Sequence, residues 1–200
     1  MSRPSVRTAR LAGWIAIPVA LLVSGLAIGG ASYSAFSATT SNPTNNWAAG
    51  TIALSDDDSN TAMFTVTGLK PGSTGTKCIA VTSTGSLPST VKLYGTSPTT
   101  TNALAGSLDL VITQGTGGSF AGGCGSFVPL GTGSNVFTGT LATFGSTYTN
   151  FSNGAGTWAP TGSASETRVF QFTYTLDPAA PSTTQGGTAA IGFTWEVQNS

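Results

Sequence analysis

The sequence predicts an all-β protein: an antiparallel two-sheet sandwich, jelly-roll-like, preceded by an N-terminal signal helix. Three observations carry that expectation. After Gly30 the apolar residues recur at every second position in short runs, the period of half-buried strands. Gly, Thr and Ser fill the chain and only 7% of residues are charged, against about 25% in an ordinary soluble domain. Gly loses entropy in a helix and Thr is stiff at χ1, so this composition suits strands and turns. Turn signals recur between the runs, and the count comes to about eight strands with no helix after Gly30.

The chain divides into three parts. Residues 1–34 are a signal peptide: Arg3, Arg7 and Arg10, then an uncharged, mostly apolar run from Leu11 to Gly30, then small residues. The arginines precede the apolar run, which keeps the N-terminus in the cytoplasm. An uncleaved membrane anchor is the competing interpretation, because the run is nearly long enough to span a bilayer. Cleavage needs small side chains at the first and third positions before the cut. Gly29 and Ala31 fit a cut before Ser32; Ser32 and Ser34 fit a cut before Ala35. Residues 35–46 form an extended, polar arm in which Pro43 bars helix at Asn42. Such an arm is expected to be free unless something pairs with it. Residues 47–200 form the β-sandwich domain.

Within the domain the expected strands are Trp47 to Leu54, Ala62 to Thr67, Lys77 to Ser83, Thr90 to Tyr94, Ser107 to Thr113, Arg168 to Asp177 and Ala190 to Val197. Gly68 to Gly72, GLKPG, is a turn in which Pro71 sets φ and Gly72 permits positive φ. The last two strands carry Phe170, Phe172, Tyr174 and Leu176, and Ile191, Phe193, Trp195 and Val197, as the aromatic centre of the core. Gly131 to Pro160 gives no clean strand. Its Tyr148, Phe151 and Trp158 are either exposed binding aromatics or local packing beneath a loop.

Charge and chemistry exclude several functions. Without the leader, Lys70, Lys77, Lys92 and Arg168 face five Asp and two Glu, a net charge of −3. No basic run remains for nucleic acid. The chain has no histidine. It therefore lacks HExxH zinc sites, Ser-His-Asp triads and Cys-His pairs. Asp109, Glu166 and Glu196 look like single surface charges. No catalytic residue and no cofactor is expected, and the protein is not expected to be an enzyme. Asp56, Asp57 and Asp58 are a weak calcium candidate, set against a plain solvated turn: calcium loops space their ligands around a Gly, and this run does not. Cys78 and Cys124 are expected to form one disulfide in an oxidising compartment, with two buried free thiols as the alternative.

Several pieces in order resemble the TasA/camelysin family of exported matrix proteins. They are GGASYSAFS at the leader junction, AAGTIALS, FTVTGLKPGSTGTK, TSTGSLPSTVKLY and the closing IGFTWEVQN. Gly115 to Ser165 departs from the family's pattern, and the two cysteines are additions to it. The resemblance implies a jelly-roll domain and cleavage between Ser34 and Ala35 by a SipW-type signal peptidase. It implies a secreted protein of the extracellular matrix or cell surface, a subunit of biofilm-matrix fibres. The subunits would join by donor-strand exchange through the arm residues Ala35, Phe36, Ser37, Ala38, Thr39 and Thr40. Its partners would be other copies of itself and related matrix subunits. A monomeric surface module for glycan or protein is the alternative function. A camelysin-like metalloendopeptidase ranks last, because no zinc ligands can be found.

Overall fold

A computed structural model describes residues 37–39 and 50–199, all within one unit, Phe36–Ser200. The signal segment, the Ser34–Ala35 junction, Phe36, Thr40 and Trp47 lie outside the described residues. Ten strands form two antiparallel sheets. They are β1 (Ser37–Thr39), β2 (Leu54–Asp56), β3 (Thr74–Ser83), β4 (Ser89–Thr100), β5 (Leu108–Thr116), β6 (Val128–Pro129), β7 (Asn135–Thr140), β8 (Ala155–Trp158), β9 (Glu166–Leu176) and β10 (Ala189–Asn199). One sheet runs β1-β10-β4-β8; the other runs β2-β3-β9-β5-β6, with β7 also paired to β5. The two-sheet all-β expectation is met. Among the described residues no helix is long and apolar enough to cross a membrane.

Period-2 patterning sets the core. Ile79 and Val81 of β3, Leu110 and Ile112 of β5, Phe170 and Phe172 of β9, and Trp195 and Val197 of β10 all turn inward and are buried. Phe172 lies 4.7 Å from Phe193 and Phe170 lies 5.4 Å from Trp195, centroid to centroid. The aromatics of the last two strands thus join the sheets, as their alternation predicts. On the outer face of β3 and β9 the threonines pair across strands: Thr76 with Thr173 at 3.0 Å and Thr82 with Thr167 at 2.9 Å. The GLKPG turn closes as expected, with Gly72 at φ 82° and its N–H donating to the Leu176 carbonyl.

Three sequence expectations are corrected. The described part of the expected Trp47 to Leu54 strand, from Gly50, is not a strand until Leu54, where β2 begins and takes in Asp56. Upstream of it, Ser86 N–H donates to the Thr51 carbonyl and Thr84 N–H to Ala53. Ala62 to Thr67 is not a strand. Among the described residues β2 takes the outer edge of β3 only over Val81–Ser83, and the segment does not pair along the rest of it. Its Phe64 instead packs edge-on against Tyr174, 5.1 Å away, and Val66 is exposed. Lastly, the domain does contain a helix, α1 (Leu141–Thr147). Thr140 caps it by accepting from the Thr143 N–H, and Phe144 is fully buried. α1 packs on β4 where both surfaces are glycine: a Cβ on Gly95 would come 3.5 Å from the Gly145 Cα and 2.6 Å from Ile191 Cδ1.

Candidate functional site

Ser37, Ala38 and Thr39 of the arm pair antiparallel with Gln198, Val197 and Glu196 of the same chain. The arm is expected to be free unless something pairs with it, and at these three residues β10 does. The outer N–H and C=O groups of β10 need partners. The rest of the arm lies outside the described residues. Among the described residues no strand pairs with the outer edge of β10 over Ala189–Thr194.

Beside that open stretch lies an apolar groove of about 410 Å³. It is lined by Ile191 and Phe193 of β10, by Leu110 of β5, and by Met63, Phe64 and Leu69 of the segment between β2 and β3. Sequence reasoning did not find this groove. The signal was present in Met63, Phe64 and Leu69, which are too irregularly spaced for a strand and too apolar for a solvated loop.

The expectation for Glu196 is corrected too. It was expected as a surface charge, but it is 9% exposed. Tyr94 Oη donates to its Oε2 at 2.8 Å and Gln198 Nε2 to its Oε1 at 2.9 Å. Burial, then Glu196, pushes the Tyr94 phenol up to about 12. Glu166 also has partners: it accepts from Thr161 N–H and Oγ1 at 2.6 and 2.8 Å, which hold it below the usual carboxylate range. Asp109 is exposed on the face opposite Leu108 and Leu110, as its position predicts.

The acidic run serves the fold. Asp57 Oδ1 accepts from Ala80 N–H at 2.9 Å and Oδ2 from Phe120 N–H at 2.8 Å, tying β3 to the Gly-rich loop. Asp58 Oδ1 accepts from Asn60 N–H in a tight turn. Burial, with the charge of Asp58 beside it, pushes Asp56 up to about 6. Among the described residues no group of three or more His, Cys, Asp or Glu is placed to hold a metal ion. Cys78 and Cys124 form the expected disulfide, with Cα atoms 5.3 Å apart, and Cys78 is fully buried beneath the loop.

The aromatics that suggested a binding module lie inside the protein or against its core. Trp158 is 4% exposed and stacks at 6.4 Å on Phe170. Tyr148 packs on Phe144 and Phe137. Phe151 is half-buried at a short 3-10 turn.

The family model for camelysin metallo-endopeptidase matches residues 12–108, just under half of the chain. Over that stretch the chain is similar to the camelysin family. No curated protein matches it. The camelysin match runs from residue 12 through β4 to the start of β5. It thus includes the arm residues of β1, while the strand they pair with, β10, lies beyond it.

Proposed function

We propose that this protein, similar to the camelysin family over residues 12–108, is an exported structural subunit whose N-terminal arm joins copies of itself into extracellular fibres of a biofilm matrix. The pairing of Ser37–Thr39 with β10 supports this. A contact that a tethered segment makes with its own domain can be made equally by the same segment of a neighbour, as in domain swapping. Main-chain bonds then give affinity, and side-chain pockets give specificity. The contact is head-to-tail and does not close on itself, so it propagates as a filament. Scarce charge lowers the repulsion between stacked subunits.

In this proposal the protein is a building block and not a catalyst. The family description carries a metallo-endopeptidase label, but the chain has no histidine. Peptidase activity of the purified protein that a chelator abolishes would restore the catalytic alternative.

The test of the fibre reading is electron microscopy of two purified forms, one beginning at Ala35 and one at Trp47. Filaments are expected only from the first. Equal filaments from both would remove the arm as the joint.

A further inference from the structure

We infer that Asn150 is a glycan acceptor, an exposed asparagine that takes a sugar on its side-chain nitrogen during export. The inference rests on the export part of the proposal above and adds a covalent modification to it.

Asn150, Phe151 and Ser152 have the Asn-x-Ser/Thr spacing that glycan transfer to asparagine requires in an exported protein. Of the nine asparagines in the chain only Asn42 shares the spacing, and Pro43 at its central position forbids transfer. The spacing alone is common in a chain this rich in Ser and Thr; the geometry sets Asn150 apart. Asn150 and Ser152 are exposed and Phe151 is half-buried, between α1 and β8. Gly95 N–H donates to the Tyr148 carbonyl at 2.9 Å and Gly154 N–H to the Phe151 carbonyl at 3.2 Å. The backbone is thus fixed on both sides of the asparagine.

The two polar atoms of the Asn150 amide have separate roles. Oδ1 accepts from the Ser152 hydroxyl at 2.6 Å and from the Ser152 N–H at 2.9 Å. Among the described residues Nδ2 makes one long contact, 3.4 Å to Thr149 Oγ1. A sugar on Nδ2 therefore displaces none of the bonds that Oδ1 uses to hold the turn. An asparagine that only capped the turn would need the N–H of Ser152 and not its hydroxyl. The donor is a sugar carried on a lipid diphosphate and delivered by a membrane transferase. Nδ2 bonds to C1 of the sugar, the C1–O bond to the diphosphate breaks, the diphosphate leaves with the electron pair, and the Nδ2 proton passes to the transferase. β8, which follows this turn, is the edge strand opposite β1 in its sheet. The glycan lies across the sheet from the arm and leaves the pairing of β1 with β10 clear.

The test is glycopeptide mass spectrometry of the protein recovered from the medium of the cells that naturally encode it. The unmodified sequence and S152T are expected to carry added sugar mass on Asn150; N150Q and S152A are expected to lose it. S152A keeps the backbone N–H that holds the turn, and melting curves of both Ser152 variants check that they fold. Loss of the sugar from a folded S152A protein then reports recognition of the hydroxyl. Bare Asn150 in the exported protein overturns the inference, and so does sugar that persists in S152A. If the chain stays inside its own cells, the export proposal has failed. The same full chain secreted from yeast behind a yeast leader then decides the acceptor: bare Asn150 overturns it, and sugar that depends on Ser152 upholds it.

Discussion

Tyr94 Oη donates to Glu196 Oε2 at 2.8 Å, linking β4 to β10 two residues off the direct register, in which Glu196 faces Lys92. Both side chains are buried. Tyr94→Phe removes this bond, leaves the carboxylate its bond from Gln198, and is expected to cost about 1–3 kcal/mol in urea unfolding. The phenol's pKa rises from 10.0 to about 12 on folding. Between those values the folded state keeps a proton that the unfolded state gives up, so stability falls as pH rises from 10 to 12. The Tyr94→Phe protein should show a shallower fall over that window.

Asp56 has the same sign at lower pH. Its carboxyl rises from 3.8 to about 6 on folding, first through burial and then through Asp58. Its contribution to stability is full below pH 3.8 and is lost as pH rises through 6. Asp56→Asn should flatten the melting temperature across that window and raise it at pH 7. Solvent screening of this half-buried group holds the gain below about 1 kcal/mol.

Asp57→Ala leaves the Ala80 and Phe120 amides without their acceptor. The expected cost is about 2–3 kcal/mol, with faster hydrogen exchange at both amides. Added calcium should leave the melting temperature of the unmodified protein unchanged. A rise that saturates with calcium and disappears in Asp57→Ala would instead make the acidic run a cation site.

The Cys78–Cys124 bond closes a loop with a sequence separation of 46. In the chain-entropy model a loop of that size stabilises a fold by about 4 kcal/mol. Replacing both cysteines with serine should therefore lower the denaturant midpoint markedly and steepen the slope, because the unlinked unfolded chain exposes more surface.

The long central strands were legible because alternation reports which face is buried. Phe170, Phe172 and Leu176 in β9, and Trp195 and Val197 in β10, are buried where their parity places them. Alternation does not report which strand lies alongside. Phe64 and Val66 have strand spacing, yet Phe64 packs on Tyr174 and their segment pairs with no strand. Glu196 has surface parity, yet Tyr94 and Gln198, brought together by the pairing of β4 with β10 and by parity within β10, bury it. Trp158 sits among Gly, Thr and Asn, which hid its place against Phe170. The helix α1 left a faint mark in Thr140 as cap and in the three-residue spacing of Leu141 and Phe144. The arm's polar composition was legible, but its docking partner lies more than 150 residues away in the chain.

The most direct test of the arm as a joint between copies uses two singly substituted proteins, S37C and Q198C, mixed before assembly and oxidised afterwards. Position 37 of one copy should then bond to position 198 of another, and mixed 37–198 dimers should appear in the filament fraction. Filaments that contain no such mixed dimers would contradict the account, because the arm would then not lie on a neighbour's last strand.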